Sequence, residues 1–192
     1  MDENRPINKE DKYLVKEYLE GNESAFNELV LRHIKIVYNT ALRFAGGREA
    51  DAEDIVSETF LKVWRNLRSF DSEKNFKAWI LVIARNSAID LLRKKKAIPF
   101  SSIESSRGLQ NAEEIFADGA DLPDVIFDEK IEEEKIKEAY GKLPEKYKLI
   151  ISLRSESDLS FSEIAEVLNA SHNTLKSQYR RALLLLKKYL GK

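Results

Sequence analysis

The chain has 192 residues with 43% hydrophobic and 34% charged side chains and a formal net charge of −1, a composition typical of globular proteins. It contains no cysteine, which excludes disulfides, thiolate metal sites and cysteine nucleophiles, and its two histidines lie too far apart in sequence to suggest a zinc site. Because no apolar run is long enough for a membrane helix or a signal peptide and no glycine-rich phosphate loop occurs, we expect a cytoplasmic protein without membrane insertion, cofactor or small-molecule substrate.

Apolar side chains recur at helical spacing along the chain, whereas the two-residue alternation of strands is not sustained, so the sequence predicts an all-α protein. A short helix is predicted at Tyr13–Glu20, and a longer one follows Gly21 and ends at Gly46–Gly47. A third helix begins near Asp51, and its apolar face comprises Val56, Phe60, Val63, Trp64 and Leu67. A fourth helix ends in a basic run at residues 93–96 and buries Phe76, Ile80, Ile83, Ala84, Ser87 and Leu91.

Two polar surfaces are predicted on these helices. An acidic stripe lies opposite the apolar face of the third helix and consists of Asp51, Asp54 and Glu58, with Glu53 beside them. Acids near a helix N-terminus also favour the helix dipole, so the stripe alone does not specify a partner. The fourth helix has a polar face, directly after an aromatic-containing loop at residues 70–76, that consists of Asn86, Asp90, Arg93 and Lys94. This combination suits unstacked bases, while Trp64 and Trp79 are assigned to the core.

The periodicity fades after residue 96, where serine, glycine, aspartate and glutamate accumulate. Residues 97–135 carry 11 acidic and 3 basic side chains, whereas residues 136–192 carry 6 acidic and 11 basic ones. We therefore predict a helical domain at residues 1–96, a flexible acidic linker at 97–124 and a second helical domain at 125–192.

The C-terminal part has the pattern of a helix-turn-helix. Ser160 and Glu163 form an S-x-x-E capping box at the start of a short amphipathic helix. A tight break at residues 169–171 precedes a longer helix that buries Leu175, Tyr179, Leu183 and Leu186. From Ser171 to the C-terminus there are six Lys or Arg residues and no acid, so we expect this helix to bind DNA. The alternative is an ordinary amphipathic hairpin with a basic surface.

Four segments together resemble the sigma-70 family of bacterial transcription initiation factors, specifically its extracytoplasmic-function (ECF) group. The segment similar to the polymerase-binding region is DAEDIVSETFLKVW, at residues 51–64. The segment similar to the promoter-melting and minus-ten region is FDSEKNFKAWILVIARNSAIDLLRKKK, at residues 70–96. The segment similar to the start of the fourth conserved region is LPEKYKLIISLR, at residues 143–154. The segment similar to the helix-turn-helix of that region is LSFSEIAEVLNASHNTLKSQYRRAL, at residues 159–183.

The resemblance implies a non-enzymatic factor that binds core RNA polymerase and directs it to promoters by recognising minus-ten and minus-thirty-five elements and helping DNA to melt. Core polymerase would be contacted by Asp51, Glu53, Asp54 and Glu58. Minus-ten DNA would be contacted by Ser69, Phe70, Asp71, Lys74, Asn75, Asn86, Arg93, Lys94 and Lys95. Minus-thirty-five DNA would be contacted by His172, Asn173, Thr174, Lys176, Ser177, Gln178, Arg180 and Arg181. The family resemblance also implies an anti-sigma factor as a partner.

The sequence departs from the family at several positions. Glycine is usual where this chain has Asp158, Asn169 and Asn173, and glutamine is frequent at the position of Ser57. Because asparagine tolerates positive φ better than most residues, Asn169 can make the same turn as glycine.

Two other classes of function remain open on the residues alone. A stand-alone helix-turn-helix regulator would bind a palindromic operator as a dimer, but this leaves the acidic stripe unexplained. A carboxylate-dependent metal hydrolase would use Asp51, Asp54 and Glu58, although all three lie on one helix with no histidine nearby.

Overall fold

The structure is a computed structural model that describes residues 6–95 and 133–191. The predicted linker at 97–124 and the predicted start of the second domain at residue 125 lie outside these residues. Within them every regular element is a helix, which confirms the all-α prediction. None of the described helices is both long and apolar enough to cross a membrane.

The described residues form two compact units, of which the first contains four α-helices and a 3₁₀ turn. These are α1 (Pro6–Leu19), α2 (Glu23–Phe44), α3 (Glu49–Asn66), the 3₁₀ turn (Leu67–Ser69) and α4 (Phe76–Lys95). At the start of α2, the side-chain oxygen of Asn22 accepts a hydrogen bond from the backbone N–H of Ser24 (3.1 Å). After α2 the chain turns at Gly46 and Gly47, whose φ angles of +64° and +84° suit glycine, as the sequence predicts.

Small side chains fill the space between α2, α3 and α4. The buried cluster consists of Ala41, Ala45, Ala52, Ile55 and Ala88, each at most 1% exposed. Alanine lets helix backbones approach closely, toward the lower end of the roughly 8 to 10 Å that separates packed helices. On the surface, Lys62 Nζ of α3 forms an ion pair with Asp90 Oδ2 of α4 at 3.0 Å. The buried cluster positions α3 against α4, and the surface ion pair adds little to it.

The predicted apolar face of α3 is partly wrong. Trp64, which we assigned to the core, is 52% exposed, and Val56 and Phe60 are only half-buried. The face that packs inward instead comprises Asp51, Ala52, Ile55, Thr59 and Val63. Thr59 is buried because its hydroxyl donates a hydrogen bond to the carbonyl oxygen of Ile55 (2.6 Å). Val63 and Leu67 are buried as predicted, but sequence reasoning missed Asp51, Ala52, Ile55 and Thr59, of which two are polar.

The predicted face of α4 agrees better with the structure. Phe76, Ile80, Ala84 and Ser87 are buried, while Ile83 and Leu91 are half-buried. Trp79 is also half-buried, so part of its ring faces outward.

The second compact unit contains α5 (Glu133–Gly141), α6 (Glu145–Ser155), most of α7 (Phe161–Leu168) and α8 (His172–Tyr189). Its fully buried side chains include Ile150, Leu153, Leu159, Ile164 and Leu175. A second cluster joins α5, α6 and α8 and consists of Ala139, Leu143, Tyr147, Ala182 and Leu186. In α8, Leu175 and Leu186 are buried as predicted, whereas Tyr179 and Leu183 are half-buried.

Candidate polymerase and nucleic-acid surfaces

The outer face of α3 carries three of the four acids that were predicted to bind polymerase. Glu53, Asp54 and Glu58 are exposed, and Ser57 is exposed between them. At 100° per residue these four side chains lie within one half of the helix circumference, opposite the buried Ala52 and Ile55. The exposed acids can therefore meet one partner surface together.

Asp51, the fourth predicted acid, does not belong to this surface. Its residue is only 6% exposed, and it lies at the packed edge of α3. Asp51 Oδ1 accepts a hydrogen bond from Lys95 Nζ (2.5 Å), and Oδ2 accepts one from Arg48 Nε (2.6 Å). The hydrogen bonds from Lys95 and then Arg48 hold the pKa of the Asp51 carboxyl below its usual value. Because both of its oxygens are bonded to cations and the residue is nearly buried, Asp51 presents little surface to a partner protein.

Two apolar residues that sequence reasoning missed share the exposed face of α3. Leu61 is 40% exposed and Trp64 is 52% exposed. Leu61 follows Asp54 by seven residues, and Trp64 follows Ser57 by seven, so each continues a row of this face toward the C-terminus of the helix. The sequence signal was present in this spacing, but large apolar residues were assigned to the core by default. We call Glu53, Asp54, Ser57, Glu58, Leu61 and Trp64 the α3 outer face.

The loop between the 3₁₀ turn and α4 is organised around an aromatic cluster. The ring of Phe70 meets that of Phe76 edge-on at 5.3 Å and that of Trp79 at 4.9 Å. Phe76 is buried, whereas Phe70 and Trp79 are half-buried. The two half-exposed rings offer apolar edges to a group outside the loop, and the buried ring fixes their positions.

Several predicted minus-ten residues have structural duties in this loop. Asn75 caps α4, because its side-chain oxygen accepts hydrogen bonds from the backbone N–H groups of Lys77 (3.0 Å) and Ala78 (3.3 Å). Asp71 accepts a hydrogen bond from the backbone N–H of Glu73 (3.0 Å). The remaining predicted loop residues are Ser69, whose hydroxyl donates to the Asn66 carbonyl at 2.7 Å, and Lys74, which is exposed.

The polar face of α4 begins at Asn86 and ends at the basic C-terminal turn. Asn86 is exposed and accepts a hydrogen bond from Arg85 at 3.0 Å through its side-chain oxygen. Arg93 follows Asn86 by seven residues and therefore lies on the same face, and Lys94 is exposed beside it. Cations in the last turn of a helix are also favoured by the helix dipole. The predicted polar face is thus formed, but Lys95 lies outside it and pairs with Asp51.

The predicted helix-turn-helix is present in the second unit. The capping box forms as expected, since the backbone N–H of Ser160 donates to Glu163 (2.6 Å) and the Glu163 N–H donates to the Ser160 hydroxyl (3.3 Å). Asn169 has a φ angle of +52°, so it makes the left-handed turn that the family's glycine would make. Asp158 also stands where glycine is usual in the family, and it has the same left-handed conformation, with a φ angle of +54°.

The start of α8 presents an exposed polar surface. Ser171 caps the helix by accepting a hydrogen bond from the backbone N–H of Thr174 (3.1 Å). The exposed predicted contacts are His172, Asn173, Thr174, Lys176 and Ser177, and the half-exposed ones are Arg180 and Arg181. No acidic residue occurs among residues 171–191, so this face of the unit is cationic.

Gln178 is the one predicted minus-thirty-five residue that the structure buries. It is 4% exposed and lies between Leu175 and Ala182 on the packed side of α8. Gln178 follows Leu175 by three residues, whereas the outward rows pass through Lys176 and Ser177. It therefore cannot reach a base edge from this position.

The inward face of the helix-turn-helix is braced by aromatic contacts. The Phe161 ring meets the Tyr179 ring at 5.3 Å and the His172 ring at 6.4 Å, both nearly edge-on. The Arg154 guanidinium lies 5.3 Å from the Phe161 ring and donates a hydrogen bond to the carbonyl oxygen of Leu159 (2.8 Å). The Phe161 ring therefore contacts residues of both α6 and α8 and adds to the buried packing of α8 through Leu175, Ala182 and Leu186.

The acids that a metal hydrolase would require do not converge on a common site. Asp51 is turned inward to its two cationic partners, while Asp54 and Glu58 face outward. Residues 6–95 and 133–191 contain no group of three histidine, aspartate or glutamate side chains that could hold a metal ion.

Comparisons with known proteins match both compact units. The family model for sigma-70 region 2 matches residues 29–98, and that for sigma-70 region 4 matches residues 133–186. The chain is 32% identical to the ECF RNA polymerase sigma factor SigW of Bacillus subtilis over 178 residues, which cover 92% of this chain and 94% of SigW. It is 30% identical to the ECF RNA polymerase sigma-E factor of Escherichia coli over 177 residues, with 90% of each chain covered.

Among solved structures, the chain is similar to CnrH in its complex with the cytosolic domain of CnrY. The TM-score is 0.57 at 26% identity, with 95% of this chain and 97% of CnrH covered.

Proposed function

Because the chain belongs to the sigma-70 family of RNA polymerase sigma factors, within its ECF group, we propose a specific role for each exposed surface in promoter-directed transcription initiation. The protein is a transcription initiation factor whose partners are core RNA polymerase and promoter DNA. The observation that carries the assignment of surfaces is that the acidic α3 outer face and the cationic face of α8 lie on two separate compact units. A stand-alone operator-binding regulator has no use for the first of these surfaces.

The α3 outer face is the proposed contact with core polymerase. Its exposed acids, Glu53, Asp54 and Glu58, complement a cationic partner surface, and Leu61 and Trp64 add apolar area on the same side. Partly exposed tryptophans frequently dominate the energy of protein interfaces when a partner removes them from water. Trp64 is therefore the proposed anchor, and the acids give orientation and speed of association.

The loop and polar face of α4 are the proposed contact with the melted minus-ten strand. Phe70 and Trp79 supply half-exposed rings for an unstacked base, and Asn86 supplies an amide that can bond a base edge. Arg93 and Lys94 meet phosphates at the C-terminal end of the same helix. Asp71 and Asn75 shape this site through their backbone hydrogen bonds, and Ser69 and Lys74 border it.

The exposed N-terminal half of α8 is the proposed reader of the minus-thirty-five element in the major groove. Lys176 and Asn173 carry groups that bond base edges, while Arg180 and Arg181 lie further along the helix and meet phosphates. His172, Thr174 and Ser177 border the same surface. Gln178 has no place in this contact because it is buried.

The location and a further partner belong to the same proposal. The family consists of transcription factors, and we propose that this chain performs no catalysis itself and acts in the cytoplasm. We also propose an anti-sigma factor as a partner. In support, CnrH, a similar protein, was solved in complex with the cytosolic domain of CnrY.

The proposal is tested by transcription in vitro with purified core polymerase on a library of random promoters. We expect transcripts only when factor and core are combined, from templates that share one element near minus ten and another near minus thirty-five. Specific binding of a palindromic site by the factor alone, without transcription in the presence of core, would establish the operator-binding alternative instead.

The polymerase surface is tested by the variant Trp64→Ala, with Leu19→Ala as the matched control. Leu19 is 47% exposed, but it lies on α1 and not on the α3 outer face. We expect Trp64→Ala to weaken core binding at least about tenfold, equivalent to about 1.4 kcal/mol, and Leu19→Ala to leave it unchanged. Equal affinities of both variants for core polymerase would show that the α3 outer face is not part of the interface.

A further inference from the structure

Four charged residues form a compact cluster at one end of the first unit. Lys95 Nζ of α4 lies 2.5 Å from Asp51 Oδ1 and 3.6 Å from Asp54 Oδ2 of α3, and Arg48 Nε lies 2.6 Å from Asp51 Oδ2. We call the pair formed by Asp51 and Lys95, which joins α3 to α4, the clasp. It connects the helix that carries the proposed polymerase surface to the basic end of the helix that carries the proposed minus-ten surface.

The position of Lys95 on α4 differs from that of its basic neighbours. Lys95 follows Ala88 by seven residues and Ala84 by eleven, so it continues the packed face of the helix. Arg93 instead follows the exposed Asn86 by seven residues. Lys95 consequently leaves the helix on the side toward α3, although about half of its side chain, 49%, remains exposed.

The environment of Asp51 favours a persistent pair. Its side chain is 8% exposed, and each of its oxygens accepts a charge-assisted hydrogen bond. The hydrogen bond that Lys95 donates to Asp51 lowers the pKa of the Asp51 carboxyl and raises the pKa of the Lys95 ammonium. Both groups thus stay charged at neutral pH. Breaking the pair would leave a largely buried carboxylate with one partner fewer, which is costly.

We propose that the clasp withholds Lys95 from promoter DNA. Asp51 then influences DNA binding, because it holds Lys95, and does not contact core polymerase. Among the cations that the structure describes at the basic end of α4, Arg93 and Lys94 then remain available to phosphates, whereas Lys95 is held by α3. This inference rests on the proposed placement of the α4 polar face against DNA. Asp51 is a positioning residue for that contact.

The test is the salt dependence of promoter binding by the holoenzyme reconstituted with each variant. Each lost phosphate contact lowers the log–log slope by about 0.7 for a single strand to 0.9 for duplex DNA. We expect Lys94→Gln, the matched control, to lower the slope by this amount and Lys95→Gln to leave it unchanged. Asp51→Asn should steepen the slope by one contact as Lys95 loses its short hydrogen bond, because the remaining 3.6 Å pair with the exposed Asp54 is weak. Asp51→Asn with Lys95→Gln should return the slope to that of the unsubstituted protein. A merely structural ion pair would change thermal stability but not this slope.

The outcomes separate this inference from the function on which it rests. If Lys95→Gln and Lys94→Gln lower the slope equally, Lys95 contacts DNA and the clasp is overturned, while the placement of α4 stands. If Lys94→Gln lowers the slope but Asp51→Asn does not steepen it, the proposal that Asp51 withholds Lys95 from DNA is also overturned. If none of the variants changes the slope, both the clasp and the proposed placement of α4 are wrong. If Asp51→Asn does not fold, equal effects of Lys95→Gln and Lys94→Gln still overturn the clasp.

Discussion

The two proposed DNA surfaces are built in different ways. In the first unit, residues predicted to contact the minus-ten strand also hold the local structure: Phe70 packs on Phe76 and Trp79, and Asn75 caps α4. In the second unit, most of the proposed contacts stand exposed on α8, although the His172 ring also meets Phe161, and separate residues such as Ser171 hold the helix in place. A substitution in the first surface should therefore change both the stability of the unit and its recognition of DNA. In the second surface, DNA recognition can change while stability is retained.

The largest expected effect concerns the first surface. Phe70→Ala removes two ring contacts and should destabilise the first unit by about 2 to 3 kcal/mol, while it also impairs promoter opening. Thermal unfolding and permanganate footprinting of the open complex measure the two effects. Full stability with impaired opening would break the comparison, because recognition would then be separable in the first unit as well.

The next effect concerns the second surface. Lys176→Ala should relax the base preference at one minus-thirty-five position by about 1 to 3 kcal/mol and leave the melting temperature unchanged. The control is Gln178→Ala, which should behave in the opposite way, with stability lowered by about 1 to 2 kcal/mol and base preference retained, because Gln178 is buried. Promoter selection and thermal unfolding of both variants provide the measurement. A change in base preference with Gln178→Ala would contradict the conclusion that Gln178 is buried and does not contact DNA.

A matched pair of helix caps sharpens the comparison. Asn75→Ala and Ser171→Ala each remove a side chain that caps a DNA-facing helix, α4 and α8 respectively, and each should cost about 1 kcal/mol of stability. The Asn75 variant should in addition slow open-complex formation, since the cap is part of the minus-ten loop. Equal kinetic defects at both positions, measured by stopped-flow fluorescence, would indicate that the two surfaces do not differ in this respect.

The smallest effect is the response to acid. The pKa of Asp51 is lowered in the folded state, so the stability that it contributes is present above the unfolded pKa of about 4 and is lost as pH falls through the lower folded value. Asp51→Asn should therefore flatten the dependence of the first unit's stability on pH below about 4. Glu138 of the second unit also has a lowered pKa, caused by Lys142, but this pair lies on the surface. We expect Glu138→Gln to change acid unfolding little, as measured by circular dichroism across the same pH range.

The sequence predicted α2, α3, α4 and the helix-turn-helix because these depend on local patterns, whereas α1 begins at Pro6 and not at the predicted Tyr13, and α5 was not predicted. The capping box at Ser160 and the turns at Gly46 and Asn169 are set by neighbouring residues, and all three occur where expected. The family resemblance also depends on contiguous segments of sequence, and the family models confirm it.

The errors at the candidate surfaces arose where tertiary packing decides. Asp51 and Gln178 are polar and were assigned to outward surfaces, but a hydrogen-bonded polar residue is tolerated in a packed face. Trp64 was assigned to the core because of its size, although α3 already packs through smaller residues. Lys95 was grouped with its basic neighbours, whereas its seven-residue spacing from Ala88 places it toward α3. Helical phase, applied strictly, would have identified Lys95 and Gln178 but not the ion pairs of Asp51.

The alanine-rich cluster between α2, α3 and α4 has a consequence for how such a protein can diverge. Since Ala52 and Ala88 set how closely α3 approaches α4, a single added methyl group at either position would displace the α3 outer face relative to Asn86. The distance between the proposed polymerase surface and the proposed minus-ten surface would then shift without a change in any contact residue. Promoter strength could therefore be altered by mutations in the interior alone, which an inspection of surface residues would not detect.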